Sequence, residues 1–248
     1  MVGNSYYIFL LPILIAIIAF LYSTVGHGGA SGHIAVLSLL GIAPMYIKSS
    51  ALVLNILVSS IAFITYYRSG YFKIKLLLPF LFTSIPSAFL GGLINIDNPI
   101  IFQKILGICL IFPIMRLFGL ANQDNLTTKK VNTGLALLFG SIIGFLSGIM
   151  GIGGGILLTP VLIFMSWANL KEAAAVSALF ILLNSISGLI ALGIIGFNFN
   201  NAIISWIFAA FIGASLGSYY GSKKFNFKTL RYCLAIVLCI ASFKLLIG

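Results

Sequence analysis

Two glycine clusters carry the chemistry open to this chain. GHGGASGH sets Gly26, Gly28, Gly29 and Gly32 around His27, Ser31 and His33, and GIMGIGGGILLTP places Gly151, Gly153, Gly154 and Gly155 between apolar runs. Glycine costs a helix more than any residue but proline, and a bilayer offers no water to the backbone groups it frees. Such a break is tolerated where the freed backbone lines a cavity or is buried in protein. Where the chain leaves the glycines for a helix, at Ala30-Ser31-Gly32-His33 and at Gly155-Ile156, N–H groups of a helix N-terminus point into the break. Together with the positive end of the helix dipole they form a site for an anion. The competing reading is close helix packing through small residues. It suits Gly140-x-x-x-Gly144-x-x-x-Gly148, whereas Gly151 to Gly155 is too dense for a continuous helix.

Polar side chains near the clusters extend the site. His27 and His33 are the chain's two histidines; a neutral imidazole donates to an oxyanion, and one titrating near neutrality carries a coupled proton, although a histidine in a polar pocket also serves simply to satisfy backbone groups. Thr24, Ser31, Ser147 and Thr159 offer hydroxyls, with bonding back to their own helices as the plain alternative. Asn55 and Asn184 sit far from the ends of their apolar segments, where a buried amide must be paired; they read equally as substrate ligands or as interhelical hydrogen bonds. Ser50 and Ser177 could support the site from the starts of the same segments. The candidate substrate-binding set is therefore Gly26, His27, Gly28, Gly29, Ser31, Asn55, Ser147, Gly151, Gly153, Gly154, Gly155, Thr159 and Asn184.

The elements that hold these residues are membrane helices. Of 248 residues, 61% are hydrophobic and 7% charged, against about 25% charged in a soluble domain. The net charge of +11 comes from 14 Lys and Arg against Asp97, Asp124 and Glu172. In a soluble chain it would suggest nucleic acid; here it records the excess of cations on cytoplasmic loops. Cys109, Cys233 and Cys239 lie in apolar runs and read as packing residues, with no disulfide framework, metal site or cofactor indicated. The N-terminal stretch lacks a basic n-region and a small-residue cleavage site, and reads as a retained segment.

At an offset of 125, FLYSTVGHGGASGHIAVL (20–37) falls over FLSGIMGIGGGILLTPVL (145–162). The match continues at 126 or 127, with Ser50-Ala51-Leu52 over Ser177-Ala178-Leu179. The chain thus reads as two copies, residues 1–124 and 125–248, forming one transport domain. Each copy gives five segments, at 6–25, 33–43, 46–67, 75–94 and 101–120, then 132–150, 156–168, 172–195, 202–220 and 229–247. The second segment of each copy is too short to span a core of ~30 Å, so it pairs with its predecessor as a re-entrant hairpin tipped by glycine.

Five segments per copy is an odd number, which inverts the second copy. With that parity eleven cations fall on one face and only Lys48, Lys104 and Lys244 on the other, placing both termini outside the cytoplasm. Arg116 snorkels to the cytoplasmic interface, and Glu172 reads as a first-turn residue favoured by the helix dipole, with proton coupling as the sharper alternative. No span holds an unpaired central cation, so the anion would be held mainly by backbone N–H groups and hydroxyls.

The paired stretches GHGGASGH and FLSGIMGIGGGILLTPVL resemble the TauE/SafE family of sulfite and organosulfonate exporters, over nearly the whole chain. The resemblance implies transport of a small sulfur-containing anion (sulfite, a sulfonate, sulfate or thiosulfate) across the bacterial inner membrane. The fold expected is an all-α integral membrane protein of two inverted five-segment repeats, each beginning with a glycine-tipped hairpin, working by alternating access. Its partners are the anion, the lipid bilayer and a coupling ion, with the proton as candidate; a homo-oligomer is left open and nucleic acid is not expected. A passive anion channel, or a transporter of another small anion, is the alternative. An enzyme is disfavoured, because the three acids all lie near segment ends.

Overall fold

A computed structural model describes residues 5–40, 42–94, 104, 128–196 and 199–247 of the chain. Among the described residues every regular element is helical: α1 (Ser5–Ser23), α2 (Ala30–Leu39), α3 (Pro44–Arg68), α4 (Ile74–Leu93), α5 (Thr133–Met150), α6 (Gly155–Phe164), α7 (Leu170–Ile195), α8 (Ile203–Tyr219), which runs on as a π-helical turn (Tyr220–Lys224), and α9 (Phe227–Ile247). Five of these helices are long and apolar enough to cross a membrane. The expected segment at 101–120, with Cys109, Arg116, Asp97 and Asp124 around it, lies outside the described residues, as does the boundary between residues 124 and 125.

The short helices α2 and α6 have 10 residues each, about 15 Å of axis against a core of about 30 Å. They begin and end earlier than the spacing of apolar residues suggests, at 30–39 and 155–164 instead of 33–43 and 156–168. The left-handed glycines explain the early start. Gly29 (φ 84) and Gly154 (φ 78) occupy the residue before each helix, a conformation L side chains rarely adopt, so the helix begins on the next residue. The same closures recur 125 residues apart: His27 N–H donates to Tyr22 O as Ile152 N–H donates to Ser147 O, and Ile42 N–H donates to Leu37 O as Trp167 N–H does to Leu162 O.

Glycine rows seat the remaining helices. Gly140, Gly144 and Gly148 of α5 lie on the backbone of Phe80, Ser84 and Ala88 of α4, where an added Cβ would stand 2.5, 2.3 and 2.1 Å from a carbonyl oxygen. Gly213, Gly217 and Gly221 lie in the same manner on Ala16, Phe20 and Thr24 of α1, at 2.1, 2.2 and 2.1 Å. The first row was legible as small-residue packing; the second has the same four-residue spacing and the same use. Thus α4 packs on α5 and α8 on α1, while α3 and α7 pack on each other. Buried Ala51, Leu54 and Val58 of α3 and Val176, Phe180 and Ile181 of α7 form much of that interior. Outward faces are apolar too, with Phe82 80% exposed and Phe208 67%, as a lipid-facing surface requires.

At one end of the bundle the polar junctions converge. Asn169 caps α7 reciprocally with Glu172: the Asn169 side chain accepts from Glu172 N–H at 3.0 Å and Glu172 accepts from Asn169 N–H at 3.2 Å. Glu172 also pairs with Lys73 at 2.6 Å. Its neighbour Lys171 turns elsewhere, donating to Ser222 O at 3.0 Å and to Tyr71 Oη at 3.3 Å. The α3–α4 loop, the start of α7 and the end of α8 therefore share one end, all three carrying residues assigned to the cation-rich face.

Candidate functional site: two glycine turns joined by a histidine

The turn between α1 and α2 and the turn between α5 and α6 meet in the interior. His27, 1% exposed, sets Nε2 3.0 Å from Gly155 O and 3.0 Å from Thr159 Oγ1. Thr159 Oγ1 in turn lies 2.7 Å from Ser177 Oγ. A polar chain thus runs from the first turn, through α6, into α7, and all its members are buried. Ser50, which aligns with Ser177, has a buried hydroxyl without a partner among the described residues. His27 and Thr159 align with Ile152 and Ile34 at the offset of 125, so this polar pair has two apolar residues as its counterpart in the alignment.

Asn55 of α3 is the second bridge. Its Oδ1 accepts from Ala30 N–H at 3.1 Å, and its Nδ2 donates to Ser185 Oγ at 2.7 Å and, at the long limit of 3.5 Å, to Ile152 O. One side chain therefore touches both turns and α7. The glycines are dictated by this crowding. A Cβ on Gly28 would fall 2.0 Å from Asn55 Oδ1, one on Gly153 2.3 Å from Asn55 Nδ2, and one on Gly155 2.1 Å from Ile181 Cδ1. Gly26 (φ 73) lies on the backbone of Ala174, and Gly151 (φ 70) caps the end of α5.

The two turns differ at one donor. In the first, Asn55 occupies Ala30 N–H, while the N–H groups of Gly28, Gly29, Ser31 and Gly32 meet no acceptor among the described residues. In the second, the N–H groups of Gly153, Gly154, Gly155 and Ile156 meet no acceptor among the described residues. Ser147 is buried beside Gly154, its Cβ 3.3 Å from where a Gly154 Cβ would stand.

The other candidate residues separate. Ser31 pairs with Tyr22 Oη at 2.9 Å. Thr24 Oγ1 bonds back to Leu21 O at 2.6 Å, and its carbonyl takes the Tyr66 hydroxyl, so it serves the backbone of α1. Asn184 reaches Ser84 Oγ of α4 at 3.2 Å and Phe180 O at 2.8 Å, an interhelical role that does not touch either turn. His33 is buried in the first turn of α2, its Cε1 beneath Gly29.

Two residues escaped the sequence reading. Ser185 follows Asn184 and is the one that meets Asn55. Lys48 lies in the second turn of α3, and its Cγ stands 3.0 Å from the position of a Gly151 Cβ, so the stem of an off-centre cation borders the second glycine turn. Its signal was an offset: Lys48 aligns with Ala174, the residue beneath Gly26. Among the described residues no three of His, Cys, Asp or Glu come together as for a metal ion.

Comparison with known proteins places this arrangement among transporters. The family model described as sulfite exporter TauE/SafE matches residues 11–245. The chain is 32% identical over 240 residues to the probable membrane transporter protein y4hK of Sinorhizobium fredii, covering 95% of this chain and 97% of that one. It is 29% identical over 132 residues to the probable membrane transporter protein YunE of Bacillus subtilis, 51% of this chain and 45% of that one. No solved structure is a significant match.

Proposed function

The chain belongs to the sulfite exporter TauE/SafE family of membrane transporters, and from that premise we propose that it carries small sulfur-containing anions across a bacterial inner membrane by alternating access. The observation that carries the reading is the contact between His27 of one glycine turn and Gly155 of the other, 128 residues apart and wholly buried. Residues 1–124 and 125–248 act as two inverted repeats, each opening with a re-entrant hairpin whose tip reaches the interior. Exchanged packing of first and fourth helices and the recurring turn closures support that symmetry.

The anion rests on the free N–H groups of Gly153 to Ile156 at the start of α6, where the helix dipole adds to unsatisfied donors. Asn55 takes Ala30 N–H in the first turn, whereas its counterpart in the second, Gly155 N–H, stays free for the anion. Ser147 and the His27–Thr159 pair flank it, and Lys48 lends a positive charge at the Gly151 side. Rocking of the repeats would open it to each face in turn. The cluster around Lys73, Glu172, Lys171 and Ser222 lies at the cytoplasmic end by the charge asymmetry, and closes that end in this conformation.

Purified protein in liposomes tests this with labelled sulfite, sulfate, thiosulfate and a sulfonate, with and without a pH gradient. Saturable uptake of at least one is expected. Indifference to all four would remove the sulfur-anion class, and conductance that does not saturate would favour a passive anion channel in its place.

A further inference from the structure

Hydrogen bonding fixes which nitrogen of His27 is free. Gly155 O can only accept, so Nε2, 3.0 Å away, carries the hydrogen and shares it with Thr159 Oγ1. In a neutral imidazole so disposed Nδ1 is a bare acceptor. That atom is buried and has no partner among the described residues. The groups around the ring do not supply one. From α1, Tyr22 meets it edge-on at 6.4 Å between centroids, with its hydroxyl committed to Ser31. From α2, His33 lies beneath Gly29; from α6 come Gly155 and Thr159, and from α7 Ser177, which bonds Thr159. On α3, Asn55 is taken by Ala30 and Ser185, and Lys48 lies against Gly151. Glu172, the carboxylate among the described residues, is held by Lys73 and Asn169, so no carboxylate stands by to stabilise an imidazolium.

A buried acceptor that the protein leaves without a partner has a chemical consequence for an oxyanion that reaches it. A fully deprotonated oxyanion brings only lone pairs and leaves Nδ1 unsatisfied and repelled, whereas an oxyanion that retains an O–H donates to it. Sites built around one hydrogen bond reject analogues that lack the partner, because the buried group is then left unpaired. We propose that His27 Nδ1 accepts the O–H of a singly protonated oxyanion, so that the substrate crosses as its hydrogen-bearing monoanion and takes that proton with it. The proton travels on the substrate oxygen throughout, and His27 keeps its hydrogen on Nε2. Flux is thereby linked to the pH gradient without a titrating carboxylate in the membrane. This rests on the transport reading above and narrows it: sulfite, which exists as monoanion and dianion near neutrality, suits the site, and a sulfonate without an ionisable proton does not.

Equilibrium binding to the purified full-length protein tests the inference, with labelled sulfite, inorganic phosphate and methanesulfonate as probes. The pH is varied across the range in which sulfite and phosphate pass from monoanion to dianion. Apparent sulfite affinity is expected to fall about tenfold per pH unit once the dianion predominates, tracking the protonated fraction. Methanesulfonate should bind far more weakly at every pH, and phosphate, which keeps an O–H in its monoanion and its dianion alike, should show a much shallower pH slope than sulfite; the same slope for both would show selection by charge and overturn the proposal. His27→Phe keeps a ring in the cavity and has no acceptor, and should abolish the pH dependence. Sulfite affinity independent of pH, methanesulfonate binding as tightly as sulfite, or a His27→Phe protein with the wild-type slope would each overturn the proposal. The first two use the unaltered protein, so they decide even where the variant does not fold. Failure of the transport reading looks different: pH-selective binding without uptake into liposomes.

Discussion

His27 Nε2 stands 3.0 Å from the carbonyl oxygen of Gly155, the first residue of α6 and the first position after the left-handed Gly154. The approach needs a residue without a side chain, since a Cβ there would lie 2.1 Å from Ile181 Cδ1 and 3.1 Å from His27 Cδ2. Gly153 is more constrained still, because its φ of 73 adds backbone strain to contact with Asn55 and Ser185. Left-handed backbone costs an L residue roughly 1–2 kcal/mol, and overpacking typically another 1–3 kcal/mol. Gly153→Val is therefore expected to abolish uptake in liposomes while the protein still inserts, as read by its yield in the membrane fraction. Uptake at the normal rate would show that the second turn is not the site.

Asn55→Leu is the complementary test. It strands Ala30 N–H and Ser185 Oγ inside the protein, and each unsatisfied buried group costs about 1–3 kcal/mol. Thermal unfolding should shift down clearly, and uptake should fall with it. Asn184→Leu removes bonds to Ser84 and Phe180 in a different part of the bundle, and is expected to lower stability with substrate affinity unchanged. A loss of affinity in the Asn184 variant would return that residue to the site.

How far the sequence discloses this arrangement depends on the kind of signal. The glycine turns were legible because dense glycine in an apolar run has few uses, and the helices because hydropathy marks them strongly. The pairing of Asn55 with Ser185 was not, since nothing local says which of several buried polar residues on two crossing helices will meet. Lys48 was hidden by the same gap. Counting charges by face sets it at a membrane surface and says nothing of its four-carbon stem, which reaches Gly151 because the second turn rises close to that end of α3. The difference between the turns, Ala30 N–H taken by Asn55 where Gly155 N–H is free, depends on a contact 25 residues apart and has no counterpart in the repeat alignment.

Lys48→Gln should show what the charge contributes. A partly buried cation near an anion is screened less than a surface one, and its removal is expected to weaken the apparent substrate affinity by several-fold, on the order of 1 kcal/mol. The maximal rate should change little, because the glycine turn keeps its shape. An unchanged KM measured at low ionic strength would place the ammonium group outside the substrate's path.

The polar cluster at the opposite end separates stability from transport. Glu172→Gln breaks the ion pair with Lys73, whose side chain is 51% exposed, so the loss in folding stability should stay below about 1 kcal/mol. Glutamine at this position can still accept from Asn169 N–H, and the cap survives. Glu172→Ala removes the reciprocal cap as well and should cost about 1 kcal/mol more. If the Lys73–Glu172 pair holds the cytoplasmic end shut, the Gln variant will raise or lower the rate of uptake with KM unchanged, whereas a purely structural cap predicts normal rates in Gln and a destabilised protein only in Ala. Lys171 remains on Ser222 O in both variants, so that end stays tethered and the comparison isolates the one ion pair.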